Sequence, residues 1–138
     1  MANELLLDTG GLVSIIDRGQ RGHQEIAACF ENWEGEIVST EAVLTEATRL
    51  LSRVSKGAAA CIDFFLEGGA ILIPTSTSTL IRVRALMNKY ADLPMDYADA
   101  TLVALAEELD TGYVLTTDKR DFSVYQRNGR KRFRICPE

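Results

Sequence analysis

The chain has 138 residues, 46% of them apolar and 25% charged, and no apolar run approaches the ~20 residues that cross a bilayer. That describes one ordinary domain, residues 1–138, and excludes disordered, collagen-like, small disulfide-stapled and membrane-spanning classes. The net charge of −5 argues against a nucleic-acid partner, yet seven of the 15 basic residues lie between Lys119 and Arg134, an asymmetry that marks either a phosphate-binding patch or a solvated hairpin.

Leu5-Leu6-Leu7 reads as a buried strand ending at Asp8. Thr9-Gly10-Gly11 reads as a turn into a short helix, Leu12 to Asp17, broken by Arg18 to Gly22. His23 to Trp33 is helical, with Ile26, Ala27, Phe30 and Trp33 at helical spacing. Glu36 to Ser39 is a second strand. Thr40 opens a helix through Val54 with the stripe Val43, Ala47, Leu50, Leu51 and Val54. Ala58 to Leu66 is a helix closed by Gly68-Gly69. Ala70 to Ile73 is a third strand, stopped by Pro74. Thr79 to Tyr90 is a helix with Leu80, Val83, Leu86 and Met87 inward. Pro94 precedes a helix from about Asp96 to Leu109, which Thr111-Gly112 ends. Tyr113 to Leu115 is a fourth strand. A polar turn, Gln126 to Arg130, leads to a last strand near Phe133 to Ile135. Short apolar strands alternating with amphipathic helices predict an α/β fold, a three-layer α/β/α sandwich with a mainly parallel central sheet. Ligands of such sheets bind beyond the carboxyl ends of the strands.

Cys29, Cys61 and Cys136 are odd in number and lack CxxC spacing, so they read as free thiols of a reducing compartment. No Lys or Arg occurs before Asp8, which argues against a signal peptide. A soluble, cytoplasmic protein is the expectation. His23 is the only histidine. This excludes paired-imidazole ribonuclease chemistry and multi-histidine zinc sites. His23 itself reads as structural or surface-exposed. Any metal here is held by oxygen, which favours Mg²⁺ or Mn²⁺.

The acids carry the functional signal. Asp8 ends the first strand and Asp118 follows the fourth, so both project over the carboxyl edge of the sheet. Glu46 shares the apolar stripe of Val43 and Leu50, whereas Glu41 lines up with the polar Thr45, Thr48 and Ser52. Asp99 falls on the stripe of Leu102 and Val103, with Asp96 one turn earlier. Carboxylates at one edge repel and raise one another's pKa, and a divalent cation removes that cost. Each acid alone has a plainer reading: Asp8 as a turn residue, Asp96 and Asp99 as helix N-terminal charges, Asp118 as an Asx-turn former. Haloacid-dehalogenase-type phosphatases need a second aspartate where Gly10 stands. Receiver domains need an acidic pair where Asp8 stands alone. No GxxxxGK[ST], GxGxxG or GxSxG occurs.

Four segments, in this order and spacing, resemble the PIN domain family and within it VapC-type toxin ribonucleases. They are Leu5 to Val13, Val43 to Ala47, Met95 to Val103 and Val114 to Phe122. The third segment and the Thr116-x-Asp118-x-x-Asp121-Phe122 run are the most specific. The resemblance implies one or two Mg²⁺ or Mn²⁺ ions held by Asp8, Glu46, Asp99 and Asp118. Asp96 and Asp121 match positions that are often acidic, and Thr116 matches a supporting hydroxyl. It further implies cleavage of single-stranded or loop RNA, a homodimer, and inhibition by a small antitoxin. Phe64, Phe65 and Tyr90 are the apolar residues expected at the surface for the dimer. Two other readings stand beside this one: a noncatalytic PIN-like adaptor for RNA or protein, and a metal-dependent phosphatase or DNA nuclease sharing the same site.

Overall fold

In the computed structural model, which describes residues 3–138, the first strand β1 (Leu5–Leu7) is buried at every position. A three-residue run with no polar alternation suits a strand covered on both faces, and each leucine so buried contributes about 1.5–3 kcal/mol. β1 pairs in parallel with β2 (Ile37–Thr40) on one side and β4 (Tyr113–Leu115) on the other. β3 (Ile71–Ile73) adds beyond β2, and β7 (Arg134–Cys136) adds beyond β4. The order is β3-β2-β1-β4-β7, all parallel. The chain therefore reverses its direction of winding between β1 and β4. That switch point is where a crevice opens at the carboxyl ends of such a sheet. Asp8 and Asp118 follow these two strands.

The flanking helices are α1 (Thr9–Ile16), α2 (His23–Asn32), α3 (Glu41–Leu50), α4 (Gly57–Leu66), α5 (Thr77–Lys89), α6 (Tyr97–Leu109) and α7 (Lys119–Val124). Thr40 and Ser76 cap α3 and α5 by accepting from the Val43 and Thr79 amides. Gly68, at φ 86°, closes α4 in a left-handed turn, with the Gly69 amide donating to the Phe64 carbonyl and the Gly68 amide to that of Phe65. Among the described residues, no helix is long and apolar enough to cross a membrane. The start of the Met1–Asp8 segment expected to lack a signal, Met1 and Ala2, lies outside the described residues.

Several expectations change. α1 begins at Thr9, so Gly10 and Gly11 lie inside the helix rather than in a turn. A Cβ on Gly10 would sit 2.2 Å from Thr117 Oγ1, and one on Gly11 would sit 2.4 Å from the Leu115 carbonyl oxygen. Both glycines let α1 approach the β4 end closely. α3 stops at Leu50 and tightens into a 3-10 turn, Leu51–Arg53, which turns Leu51 inward and leaves Leu50 exposed. Leu80 is exposed as well, because Val83 and Leu86 define the buried face of α5. Phe64 and Phe65 are half-buried and Tyr90 is buried against Tyr125, so none of the aromatic residues expected outside is exposed. α7 was not anticipated, whereas the antiparallel pair β5 (Gln126–Arg127) and β6 (Lys131–Arg132) forms a hairpin where the charged C-terminal hairpin and the Gln126 to Arg130 turn were expected. Its turn places Asn128 and Gly129 at φ 52° and 77°, the conformation for which Asn-Gly is the strongest short signal.

Candidate metal centre

Asp8 occupies the N-cap position of α1, yet its side chain caps nothing. It is 4% exposed. The Thr116 hydroxyl donates to its Oδ2 at 2.6 Å, while its buried Oδ1 has no hydrogen-bond partner. A buried carboxylate oxygen without a partner is costly, and an oxygen-seeking cation satisfies it. Burial pushes the Asp8 carboxyl up to about 6, against the pull of Thr116, and the charges of Asp118 and Asp96 add to the rise.

Asp99 stands in the first turn of α6. The capping there is done by Asp96, whose Oδ1 accepts from the Asp99 amide at 2.8 Å. The Asp99 carboxylate is thereby left for another task. Its Oδ2 accepts from the Tyr125 hydroxyl at 2.9 Å. Burial raises Asp99 to about 8, helped by the charges of Asp8, Asp96 and Asp118. Asp118 caps α7, its Oδ1 accepting from the Asp121 amide at 3.1 Å. The same Thr116 oxygen that donates to Asp8 accepts from the Asp118 amide at 2.8 Å. One hydroxyl thus fixes the residues after both central strands. Burial and the adjacent Asp118 raise Asp121 above its ordinary range.

Asp99, Asp118 and Asp121 each present an oxygen within 4.8 Å of the others. Among the described residues, no ion pair with Lys or Arg neutralises any of these acids. The structure therefore brings three aspartates together beside buried Asp8. Asp121 joins them as a full member of the cluster. Glu46 lies apart from that trio. It is half-buried and lines a groove of about 440 Å³ between α3 and the start of α6, with Asp96, Tyr97 and Arg49. Tyr125 was not anticipated at the site. Its signal was the spacing Asp118, Asp121, Phe122, Tyr125, a capped helix with one buried face. His23 is away from the acids, its Nδ1 2.5 Å from the Ser14 carbonyl oxygen.

The basic cluster divides. Arg127 and Lys131 approach Asp110 at 3.2 and 3.8 Å, and Arg134 lies over the Tyr113 ring at 5.2 Å. Lys119, Arg120 and Arg132, with Ser123 and Arg134, line a second groove of about 560 Å³ that starts directly after Asp118. The three cysteines are free, and burial pushes the Cys61 thiol up to about 11.

The PIN domain family model matches residues 5–128. Ribonuclease VapC26 of Mycobacterium tuberculosis is 29% identical over 135 residues, covering 96% of this chain and all of that protein. The crystal structure of Mycobacterium tuberculosis VapC20, described as a sarcin-ricin-loop-cleaving toxin, superposes with a TM-score of 0.78 at 15% identity, covering 84% of this chain and 91% of that one. A toxin–antitoxin complex from Klebsiella pneumoniae gives 0.67 at 18% identity, covering 87% and 91%.

Proposed function

This chain belongs to the PIN domain family, and on that premise we propose that it is a Mg²⁺- or Mn²⁺-dependent endoribonuclease, the toxin of a toxin–antitoxin pair. The observation that carries the reading is the orphaned, buried Asp8 Oδ1 beside three aspartates that no base neutralises. A full-length relative named as a ribonuclease supports RNA as the substrate. Toxin–antitoxin complexes of the same fold support a small antitoxin partner.

Asp8, Asp99, Asp118 and Asp121 would hold the ion, with Glu46 in the adjoining groove as the further acid of the set. Bound there, it supplies the positive charge that acidifies an attacking water and offsets charge on the scissile phosphate. The chain's own residues prepare that site. Thr116 holds Asp8 and the Asp118 backbone in one register. Tyr125 turns Asp99 by bonding one oxygen, leaving the other for the site. Asp96 relieves Asp99 of capping. Lys119, Arg120 and Arg132 are exposed and line one groove, which begins at the residue after Asp118, and they suit flanking phosphates. In-line attack leaves a 5′-phosphate and a 3′-hydroxyl, and it needs neither a histidine base nor the 2′-hydroxyl.

The test is digestion of total RNA and tRNA by the purified chain. Cleavage with Mg²⁺ or Mn²⁺ that stops in EDTA is expected. Cleavage persisting in EDTA, or ends carrying a 2′,3′-cyclic phosphate, contradicts the reading. A homodimer in the cytoplasm completes the proposal. Exposed Ile62 and Leu66 of α4 replace the aromatic residues first assigned to the dimer contact. A monomer mass by light scattering at micromolar concentration would remove the dimer.

A further inference from the structure

The ten aromatic side chains divide nine to one. Nine pair among themselves, as Trp33 does with Tyr113 and Phe122 with Tyr125 and Phe133, with centroids 5.1–5.6 Å apart. Tyr97 enters none of these pairs and is 44% exposed. It opens α6, directly after Asp96 and two residues before Asp99. It lines the groove that also holds Glu46, Thr45 and Arg49. This fold buries or half-buries every other ring, and it leaves one at the edge of the acidic cluster.

We propose that Tyr97 is the platform on which a nucleobase next to the scissile phosphate stacks, an inference that rests on the ribonuclease reading above. The acids bind the scissile phosphate only through an ion, so affinity for the flanking nucleotide has to come from elsewhere. Every base offers a π-face, and a tyrosine held at a helix start presents a large flat surface with little rotamer freedom to lose. Arg49, in the same groove, supplies a cation for the adjoining phosphate.

The probe is a short fluorescein-labelled single-stranded RNA spanning a cut site mapped from total RNA, with each flanking base in turn made abasic. Loss of a stacked base or of the ring typically weakens binding by roughly 5- to 150-fold. Tyr97→Ala should therefore raise KM and Kd by that factor with kcat little changed, and Tyr97→Phe should behave as wild type. One abasic position should weaken wild type but leave Tyr97→Ala indifferent. The magnesium-induced rise in melting temperature should be equal in all three proteins, which separates a lost platform from a damaged site. A wild type that cuts no RNA with Mn²⁺ overturns the ribonuclease reading and this inference with it. A wild type that cuts while Tyr97→Ala shows unchanged KM and the same abasic profile overturns the platform alone. Loss of the dimer in Tyr97→Ala without any change in RNA affinity assigns the ring to a protein contact and likewise overturns it.

Discussion

At the sheet edge, Asp8 and Asp99 are held from inside the fold by Thr116 and Tyr125, whereas Lys119, Arg120 and Arg132 on the adjoining flank stand exposed. The first region concentrates like charge where burial makes it costly. The second spreads charge where water screens it. A bound cation would relieve that cost, and Thr116 and Tyr125 aim the two carboxyls. The bases need only be present in number. Substitutions in the two regions should differ accordingly in size and in kind.

The largest effect is expected at Asp99. Asp99→Asn should lower RNA cleavage at least about 100-fold, because the charge it helps to hold stabilises the transition state by several kcal/mol. Single-turnover cleavage with Mn²⁺ measures it. Thr116→Val comes next. It keeps the shape of the side chain but removes the hydroxyl shared by Asp8 and Asp118, and residues that orient metal ligands typically carry about 10- to 100-fold in affinity or activity. A magnesium titration that gives the wild-type affinity would remove Thr116 from the site. Glu46→Gln marks the limit of the built region. Its carboxyl is half-buried, so activity should fall while the metal-free melting temperature stays put.

Much of this division was legible in the residues. Leu5-Leu6-Leu7-Asp8 and Tyr113 to Leu115 announce themselves because a strand covered on both faces has no polar alternation to blur it. Asp99 was found because it shares a face with Leu102 and Val103. Glu46 was found by the same spacing, but a helix stripe says only which way a side chain leans, and Glu46 stops at a groove beside the cluster. The glycines after Asp8 misled, since Gly10 and Gly11 serve the contact of α1 with Thr117 and Leu115 rather than a turn. That contact spans more than a hundred residues of chain. α7 and Tyr125 were missed because a six-residue helix is too short to show a period. The division of the basic cluster depends on the Asn128-Gly129 turn, which carries Arg127 and Lys131 to Asp110.

The exposed flank should respond in smaller, additive steps. Neutralising Lys119, Arg120 and Arg132 should each reduce the slope of log affinity against log salt by about 0.7, the value for one lost phosphate contact on a single strand. Magnesium affinity should be unchanged. A slope that does not move places the RNA elsewhere.

The acidic edge should also make metal-free stability depend on pH. Asp8 titrates at about 6 and Asp99 at about 8 when folded, both above the ordinary 3.8. The folded chain therefore keeps protons that the unfolded chain releases. The stability this gives is fully present below about pH 4 and is lost as the pH rises through 6 and 8. Protons and the cation compete for the same oxygens, so magnesium affinity should rise over that window. Melting curves in EDTA from pH 4 to 9, set against curves in magnesium, show both trends. A metal-free protein that gains stability across this range would contradict the geometry of the edge.

The most direct test of the central claim, that these aspartates meet as an unneutralised metal site, is a thermal melt of wild type and Asp99→Asn with and without magnesium near pH 8. Wild type should gain about 2.7 kcal/mol at a hundredfold excess over its dissociation constant. That corresponds to several degrees, at roughly 2–8 °C per kcal/mol for domains near this size. Without metal, Asp99→Asn should melt at the same temperature as wild type or higher, because the amide keeps an acceptor for Tyr125 and removes a repelling charge. Its response to magnesium should shrink. A variant that melts lower without metal yet responds fully to magnesium would instead make Asp99 an ordinary helix N-terminal charge, worth about 0.3–1 kcal/mol, and would contradict the account.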